Sequence, residues 1–393
     1  KMFIFNYLKD YYLSVKRKMK DNSYESIIWF IDLSPKFAGI SIKKEKTSVT
    51  IAGWFWLIHL CLLFYVYGVG SVVYQWKYAE GVGDSIKNRF INLHRILVIN
   101  IMMLLFFRSL LTTAMNKIDR NDRMARDSIA FQKAYENSLK IIKISIVLFY
   151  VINMTDGFIL YYPGRVSLQK NSFAQVQCVG IEPLTASPNR EICTFILVLQ
   201  EATIAVVVLN YQGLQLFLIA HTTVMYQLLA KEMMAFAEAG NEADIKALAK
   251  ETLPLIIKRH ALTLEVIDHL KSLYSVPLGV NFGSNAVCIL LFFYLSLQEW
   301  LQYIPILFFC FLVFFLYCFL CQRLINASEL FETSVYCSGW ENFDLTEKKL
   351  VYVMLRQAQK PVLLLAADII PVNIYTFANT LRAMFKFVTV VKI

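Results

Sequence analysis

Apolar residues along this chain gather into long, nearly unbroken runs separated by short charged stretches. The runs lie at about residues 48–74, 91–115, 141–161, 192–225, 275–298 and 302–325, with a more polar one at 370–393. A helix needs about 20 mostly apolar residues to cross the hydrocarbon core. Inside lipid a spanning segment must also satisfy its own backbone. The pattern therefore predicts seven crossings in an all-α, polytopic membrane bundle. Between the second and third runs lies NKIDRNDRMARDSIAFQKAYENSLK. Between the fourth and fifth lies a charged, helix-forming stretch from Lys231 to His269, punctuated by Gly240 and Pro254.

Composition agrees. Of 393 residues, 57% are hydrophobic and 17% charged, and the mean hydropathy is +0.51. An ordinary soluble chain is about 45–50% apolar and about 25% charged, so a disulfide scaffold, a disordered chain and a solenoid of charged repeats are excluded. The net charge of +10 would suggest nucleic acid in a soluble protein; here its distribution across a bilayer matters more, and no nucleic-acid partner is expected. Lys9, Lys16, Arg17, Lys18, Lys20, Lys36, Lys43, Lys44 and Lys46 all precede the first run. By the positive-inside rule that tail is cytosolic, and it lacks the pattern of a cleaved signal peptide. Lys117, Arg120, Arg123, Arg126, Lys246, Lys250, Lys258 and Arg259 then also lie inside, and an odd number of spans sends the C-terminus out. The division expected is a cytosolic tail at 1–47, spans one to four at 48–225, a cytosolic helical extension at 226–274, spans five and six at 275–325, cytosolic anchor helices at 326–369, one of them from about Leu345 to Leu365, and a last helix at 370–393.

Eight cysteines are scattered, mostly within apolar runs, where a free thiol behaves as a small hydrophobe. Cys318 and Cys321 form a CxxC without a second pair or a nearby histidine, a weak metal signal. Cys178 and Cys193 flank an external loop where a disulfide could form. Asn153 and Asn326 sit in sequons expected to escape glycosylation, in a span and at a cytosolic end. His260 and His269 lack a third ligand, so they read as hydrogen-bonded or solvated. No nucleophile–base pair, phosphate loop or paired carboxylates support catalysis, and no cofactor is expected.

The last run is unlike a lipid-facing helix. Asn373, Asn379, Arg382 and Lys386 fall where a charge costs at least about 2.5–3.5 kcal/mol in lipid, so the helix must face protein or water. Helical spacing separates Thr376, Asn379, Ala383, Lys386, Val390 and Ile393 from an oily stripe of Phe377, Leu381, Met384, Val388 and Val391. A wettable stripe with an apolar end is what a pore-lining helix needs; a helix at the centre of a monomeric bundle, using small residues for close approach, is the alternative.

The C-terminal third resembles insect odorant receptors. The resemblance rests on Gln322-Arg323-Leu-Ile, the spacing from Tyr336 to Trp340 before a charged helix, Gln359-Lys360-Pro361, and Pro371 followed by a helix containing Phe377. Gln200, His221, Gln227-Leu228 and the KRHALTLEVIDHL run from Lys258 look similar too. Gustatory relatives commonly end in a Thr-Tyr to Gln-Phe motif absent from Lys386 to Ile393. The shared co-receptor has a longer cytosolic loop and a slightly longer, more polar tail. The likeness is thus to a tuning subunit. It implies an inward N-terminus and a tetrameric ligand-gated cation channel in the plasma membrane of sensory dendrites, assembled with the odorant co-receptor. It also puts Val390 at the family's hydrophobic gate. Lys386 departs from what a cation path wants: four lysines at one level would repel a cation, whereas one among four subunits is tolerable.

The resemblance implies a small volatile organic ligand bound in the outer half of the bundle. In the third span Met154, Gly157 and Tyr161 share a face, flanked by Tyr150 and Phe158. Phe195, Leu199 and Thr203 of the fourth span and Phe293 and Tyr294 of the fifth are expected opposite. Aromatic and methionine residues at helical spacing are equally ordinary bundle core. Burying roughly 250 Å² of ligand at about 25 cal/mol per Å² gives about 6 kcal/mol, a dissociation constant of tens of micromolar before association costs. Glu201 reads two ways: it binds an amine or hydroxyl on the ligand, or it pairs with Gln200 or a tyrosine, or reaches outer water.

Other classes fit less well. A gustatory-type channel subunit shares the architecture. A transporter should show paired broken helices in two halves, and only the final segment is so interrupted. A G-protein-coupled receptor has its N-terminus outside. Here Asp119-Arg120-Asn121 follows the second run, and Pro371-Val-Asn373-Ile-Tyr375 has that class's letters out of order.

Overall fold

The computed structural model describes residues 24–37, 108–126, 129–166, 187–238, 242–293 and 297–391, with isolated positions between 13 and 73. The first predicted span, apart from a few of those isolated positions, the outer part of the second, and Ile393 lie outside the described residues. The helices are α1 (Tyr24–Phe37), α2 (Arg108–Arg126), α3 (Ile129–Val166), α4 (Asn189–Glu238), α5 (Glu242–Phe292), α6 (Leu297–Tyr336), α7 (Leu345–Ala358) and α8 (Ile374–Val391). A two-stranded antiparallel hairpin, β1 (Leu365–Ala366) and β2 (Ile370–Pro371), precedes α8, with Leu365 opposite Pro371 and Ala366 opposite Ile370.

Among the described residues four helical stretches are long and apolar enough to cross a membrane: Gln132–Thr155, Tyr211–Glu238, Ile245–Leu290 and Leu307–Asn342. The boundaries read from the sequence near residues 225 and 275 fall inside continuous helices. Good helix formers such as Leu228, Ala230, Lys231, Glu232 and Met233 carry α4 onward without a break. Pro254 and Pro277 lie within α5; each removes one backbone bond but does not end the helix. By contrast α7 stops at Ala358, short of the expected Leu365, because Pro361 disfavours helical backbone at the residue before it.

The inner part of α4 is the bundle's axis. Leu214, Phe217, Leu218, Leu229 and Met233 are buried, and α4 packs against α1, α3, α5 and α6. On α3, Leu139, Ile142, Ile146 and Phe149 face this core while Ile141, Ile144, Leu148 and Val151 are exposed. That outward apolar stripe suits lipid and would be a liability in water.

The end of the bundle that carries Asn121, His221 and Arg259 is polar and still buried. Asn121 of α2 donates to the Arg259 carbonyl at 3.2 Å and to the Thr263 hydroxyl at 3.0 Å, and accepts from Arg259 Nε at 3.1 Å. Arg259 of α5 also pairs through Nη1 with Glu232 of α4. Beside this network His221 Nε2 lies 3.1 Å from Asp122 Oδ2, with the Tyr24 ring edge-on at 5.4 Å. Burial first, then the charges of Asp122 and Asp119, hold the Tyr24 phenol well above its usual range. Lys143 is buried but reaches the carbonyls of Lys18 and Asp21.

Cys318 and Cys321 are buried free thiols, and no group of three metal-ligating side chains occurs among the described residues. Cys193 is disulfide-bonded; Cys178 lies outside the described residues. His260 is neither solvated nor, at Nε2, hydrogen-bonded among the described residues; it packs 4.6 Å from the Phe331 ring.

Candidate functional site

Two regions carry the residues singled out by sequence: α8, and the C-terminal part of α3 with the N-terminal part of α4 and the end of α5. Residue Asn373 starts α8, its side-chain oxygen accepting the Thr376 N–H at 2.8 Å, a standard N-cap bond to the third helical residue. The oily stripe turns inward, with Phe377, Met384 and Val388 buried and Leu381 packed beside them. Phe377 sits among three rings of α6, with centroids 5.4 Å from Phe311, 4.9 Å from Phe314 and 5.6 Å from Phe315. Phe314 in turn meets Phe282 of α5 edge-on at 4.4 Å. On the other stripe Thr376 and Asn379 are half-buried while Ala383, Lys386 and Val390 are exposed, Val390 at 73%.

The hairpin ties the start of α8 to α5. Ala367 and Asp368 form its turn with φ of 53° and 58°, a left-handed conformation that alanine adopts at a cost. It is held because Ala367 N–H donates to the Ser275 carbonyl at 2.8 Å and the Ser275 hydroxyl donates to Asp368 Oδ1 at 2.6 Å. Gly279 makes this approach feasible: a Cβ there would lie 2.7 Å from Ala367 Cβ and 2.9 Å from its backbone nitrogen. Gly279→Ala should therefore cost about 1–3 kcal/mol and lower the melting temperature of the purified protein. Gly283→Ala, where a methyl meets open space, is the control that should not.

Of the proposed ligand residues, Tyr150 packs inward against Gly213 of α4, where an added Cβ would come within 2.7 Å of its ring. Leu199 is half-buried, and so is Phe293, just beyond α5. Met154 and Phe195 present exposed side chains, Phe195 at 70%; the neighbouring inward positions on α4 are Cys193 and Leu197, neither of which was expected at the ligand site. Gly157, Phe158 and Tyr161 lie on α3 and Glu201 and Thr203 on α4, but their side chains, and Tyr294 altogether, lie outside the described residues. Helical spacing says which residues share a face, not which face turns inward. A buried polar layer deeper in the bundle also escaped the sequence reading. There Tyr317 of α6 donates to Gln215 Oε1 of α4 at 2.7 Å, and the rings of Tyr211 and Tyr274 meet edge-on at 6.3 Å.

Continuous apolar helices around a central α4, with an amphipathic last helix, define an all-α polytopic membrane protein. The family model of the seven-transmembrane odorant receptors matches residues 93–385; the chain belongs to that family, with its seven-transmembrane architecture and cytosolic N-terminus. Among curated relatives it is similar to Odorant receptor 67a of Drosophila melanogaster, 28% identical over 46% of each chain. Odorant receptor 22b of the same fly is 24% identical over 35% of this chain and 36% of its own. The matches thus span less than half the length of these relatives. The fold is similar to the insect olfactory receptor OR5 from Machilis hrabei, with a TM-score of 0.74 at 13% identity, covering 93% of this chain and 97% of that one. It is equally similar to the same receptor in complex with eugenol, at 0.73 and 13%, covering 92% and 96%.

Proposed function

We propose that this chain is the odorant-binding subunit of a heteromeric, odorant-gated, non-selective cation channel in the plasma membrane of sensory dendrites, assembled with the odorant co-receptor into a tetramer. The observation that carries this reading is the division of α8. Its oily face is seated on α6, while Ala383, Lys386 and Val390 are left facing away from the chain's own bundle. Around a fourfold axis these residues, with Thr376, Asn379 and Ile393, would line the conduction path, Val390 closing it by dewetting. Leu345, Tyr352 and Val353 on α7 are exposed apolar residues that suit contact with neighbouring subunits. The ligand, a small volatile molecule, would sit between the outer parts of α3, α4 and α5. A fold of this kind has been solved with eugenol, which supports a ligand of that size. Binding opens the pore to the extent that the ligand prefers the open state.

Expressed with the co-receptor, the chain should give odorant-evoked, non-selective cation currents without a G protein. Expressed alone it should give little current, because Lys386 then rings the path. Lys386→Gln should raise the homomeric current severalfold and leave the heteromeric current within about twofold. Robust current from the wild-type homomer would sink the role given to Lys386, and odorant responses that require a G protein would sink the channel reading.

A further inference from the structure

Four polar side chains meet at one level of the bundle, deeper than the proposed ligand residues other than Tyr150, and their hydrogen-bonding is incomplete. Tyr211, Gln215, Tyr274 and Tyr317 are each more than nine-tenths buried. Tyr211 and Gln215 lie one turn apart on the same face of α4. The Tyr211 ring meets Tyr274 of α5, and Gln215 receives the Tyr317 hydroxyl of α6. With its oxygen so engaged, Gln215 has its Nε2 left to donate. That Nε2, the Tyr211 hydroxyl and the Tyr274 hydroxyl have no hydrogen-bond partner among the described residues. Two hydroxyls, each able to donate and to accept, and one amide N–H are thus left unmet beside the equally unmet Gln212 Oε1, in surroundings where an unmet polar group is costly.

The geometry points to a subsite for one hydrogen-bond-accepting oxygen of the ligand, a ketone or ester carbonyl, at the junction of Tyr211, Gln215 and Tyr274. This deepens the proposed function and rests on its placement of the ligand between α3, α4 and α5. Phe293 lies about 28 Å along α5 from Tyr274, too far for one ligand to reach both, but Thr203 and Tyr211 are separated by about 12 Å of α4 at about 1.5 Å per residue. An extended volatile of about eight to ten heavy atoms is of that length. Between Tyr211 and Gln215 the Tyr150 ring lies against Gly213, so one of the proposed ligand residues borders the layer. An apolar pocket with a few placed polar groups is the usual form of a small-molecule site. A site built to donate to an oxygen rejects the analogue that lacks it, because its own donors stay unmet.

The test compares ketones and esters of six to ten carbons with alkanes of equal heavy-atom count, on the chain co-expressed with the co-receptor. The oxygenated member of each pair should act at a concentration at least about tenfold lower. Tyr211→Phe and Tyr274→Phe, which delete unpartnered hydroxyls and keep the rings, should reduce that ratio towards one at unchanged surface level, weakening the oxygenated member and relieving the alkane of an unmet polar group. The second measurement is thermal stabilisation of the purified complex by the same pairs, which needs no channel opening. Oxygen-selective stabilisation lost in either variant supports the subsite even where no current is evoked, in which case it is the channel reading that falls. Odorant-evoked currents with no oxygen preference, variants that shift both members alike, or stabilisation blind to the oxygen would overturn the subsite and mark the layer as a site for buried water only.

Discussion

Glu232→Ala should leave little folded receptor at the cell surface, whereas Glu232→Leu combined with Arg259→Leu should recover much of it. Arg259 is 1% exposed and Glu232 8%. Removing one partner strands the other's charge inside the protein, at about 3–5 kcal/mol. Total stabilities run at about 5–15 kcal/mol, so a loss of that size empties much of the native population. Replacing both with aliphatic side chains removes the stranded charge together with the cost of burying the pair, and such exchanges are often neutral. Recovery should be incomplete, because Arg259 Nε also donates to Asn121, whose amide holds Thr263 and the Arg259 carbonyl. The network thereby joins α2, α4 and α5, and Asn121 loses an acceptor's partner even in the double variant. Arg259→Lys should fall between, since a single ammonium cannot reproduce two directed guanidinium bonds. Surface biotinylation and melting of detergent-extracted protein read the effect; wild-type surface levels for Glu232→Ala would show that the pair is not needed for folding.

The same network shows where sequence reading stops. Apolar runs announced spans, and the basic residues before the first run and between later ones oriented them, because hydropathy and charge are local properties. The inward stripe of α8 was legible for the same reason: Phe377, Met384 and Val388 recur at helical spacing within one short element. The partners Asn121 and Arg259 are separated by 138 positions, and Tyr317 and Gln215 by 102. Each looks like an isolated polar residue until the helices are packed. The end of α7 was overrun: the expected helix ran to Leu365, past the steric stop that Pro361 supplies. Nor were ends legible near residue 225, where composition turns from oily to charged but Leu228, Ala230, Lys231 and Glu232 still favour helix, or near 275, where Pro277 sits inside α5 without ending it. Among the proposed ligand residues, Met154 and Phe195 illustrate a further limit. Both have the chemistry of a pocket wall, yet their side chains are exposed, while Tyr150 on the same helix as Met154 packs inward against Gly213.

Phe377→Ala should cut the odorant-evoked current per surface receptor by more than tenfold while leaving most of the bundle folded. The ring is buried among Phe311, Phe314 and Phe315, so its removal forfeits about 3–5 kcal/mol of burial and cavity terms, including ring–ring contacts of about 0.5–1.5 kcal/mol each. Because α8 follows every other described element and packs mainly on α6 and α5, that loss falls on the docking of one helix more than on the central packing around α4. Local opening of this sort draws on the local stability of the element concerned. An undocked α8 cannot hold Ala383, Lys386 and Val390 in a common register with the neighbouring subunits, so the conduction path is lost even where ligand binding survives. Phe377→Leu keeps most of the apolar volume and should retain a substantial share of the current. Tyr375→Ala, at a side chain 72% exposed, should leave the docking of α8 intact. Whole-cell currents normalised to biotinylated surface protein decide the matter: an unchanged ratio for Phe377→Ala would mean that the seat of α8 on α6 does not set the geometry of the pore.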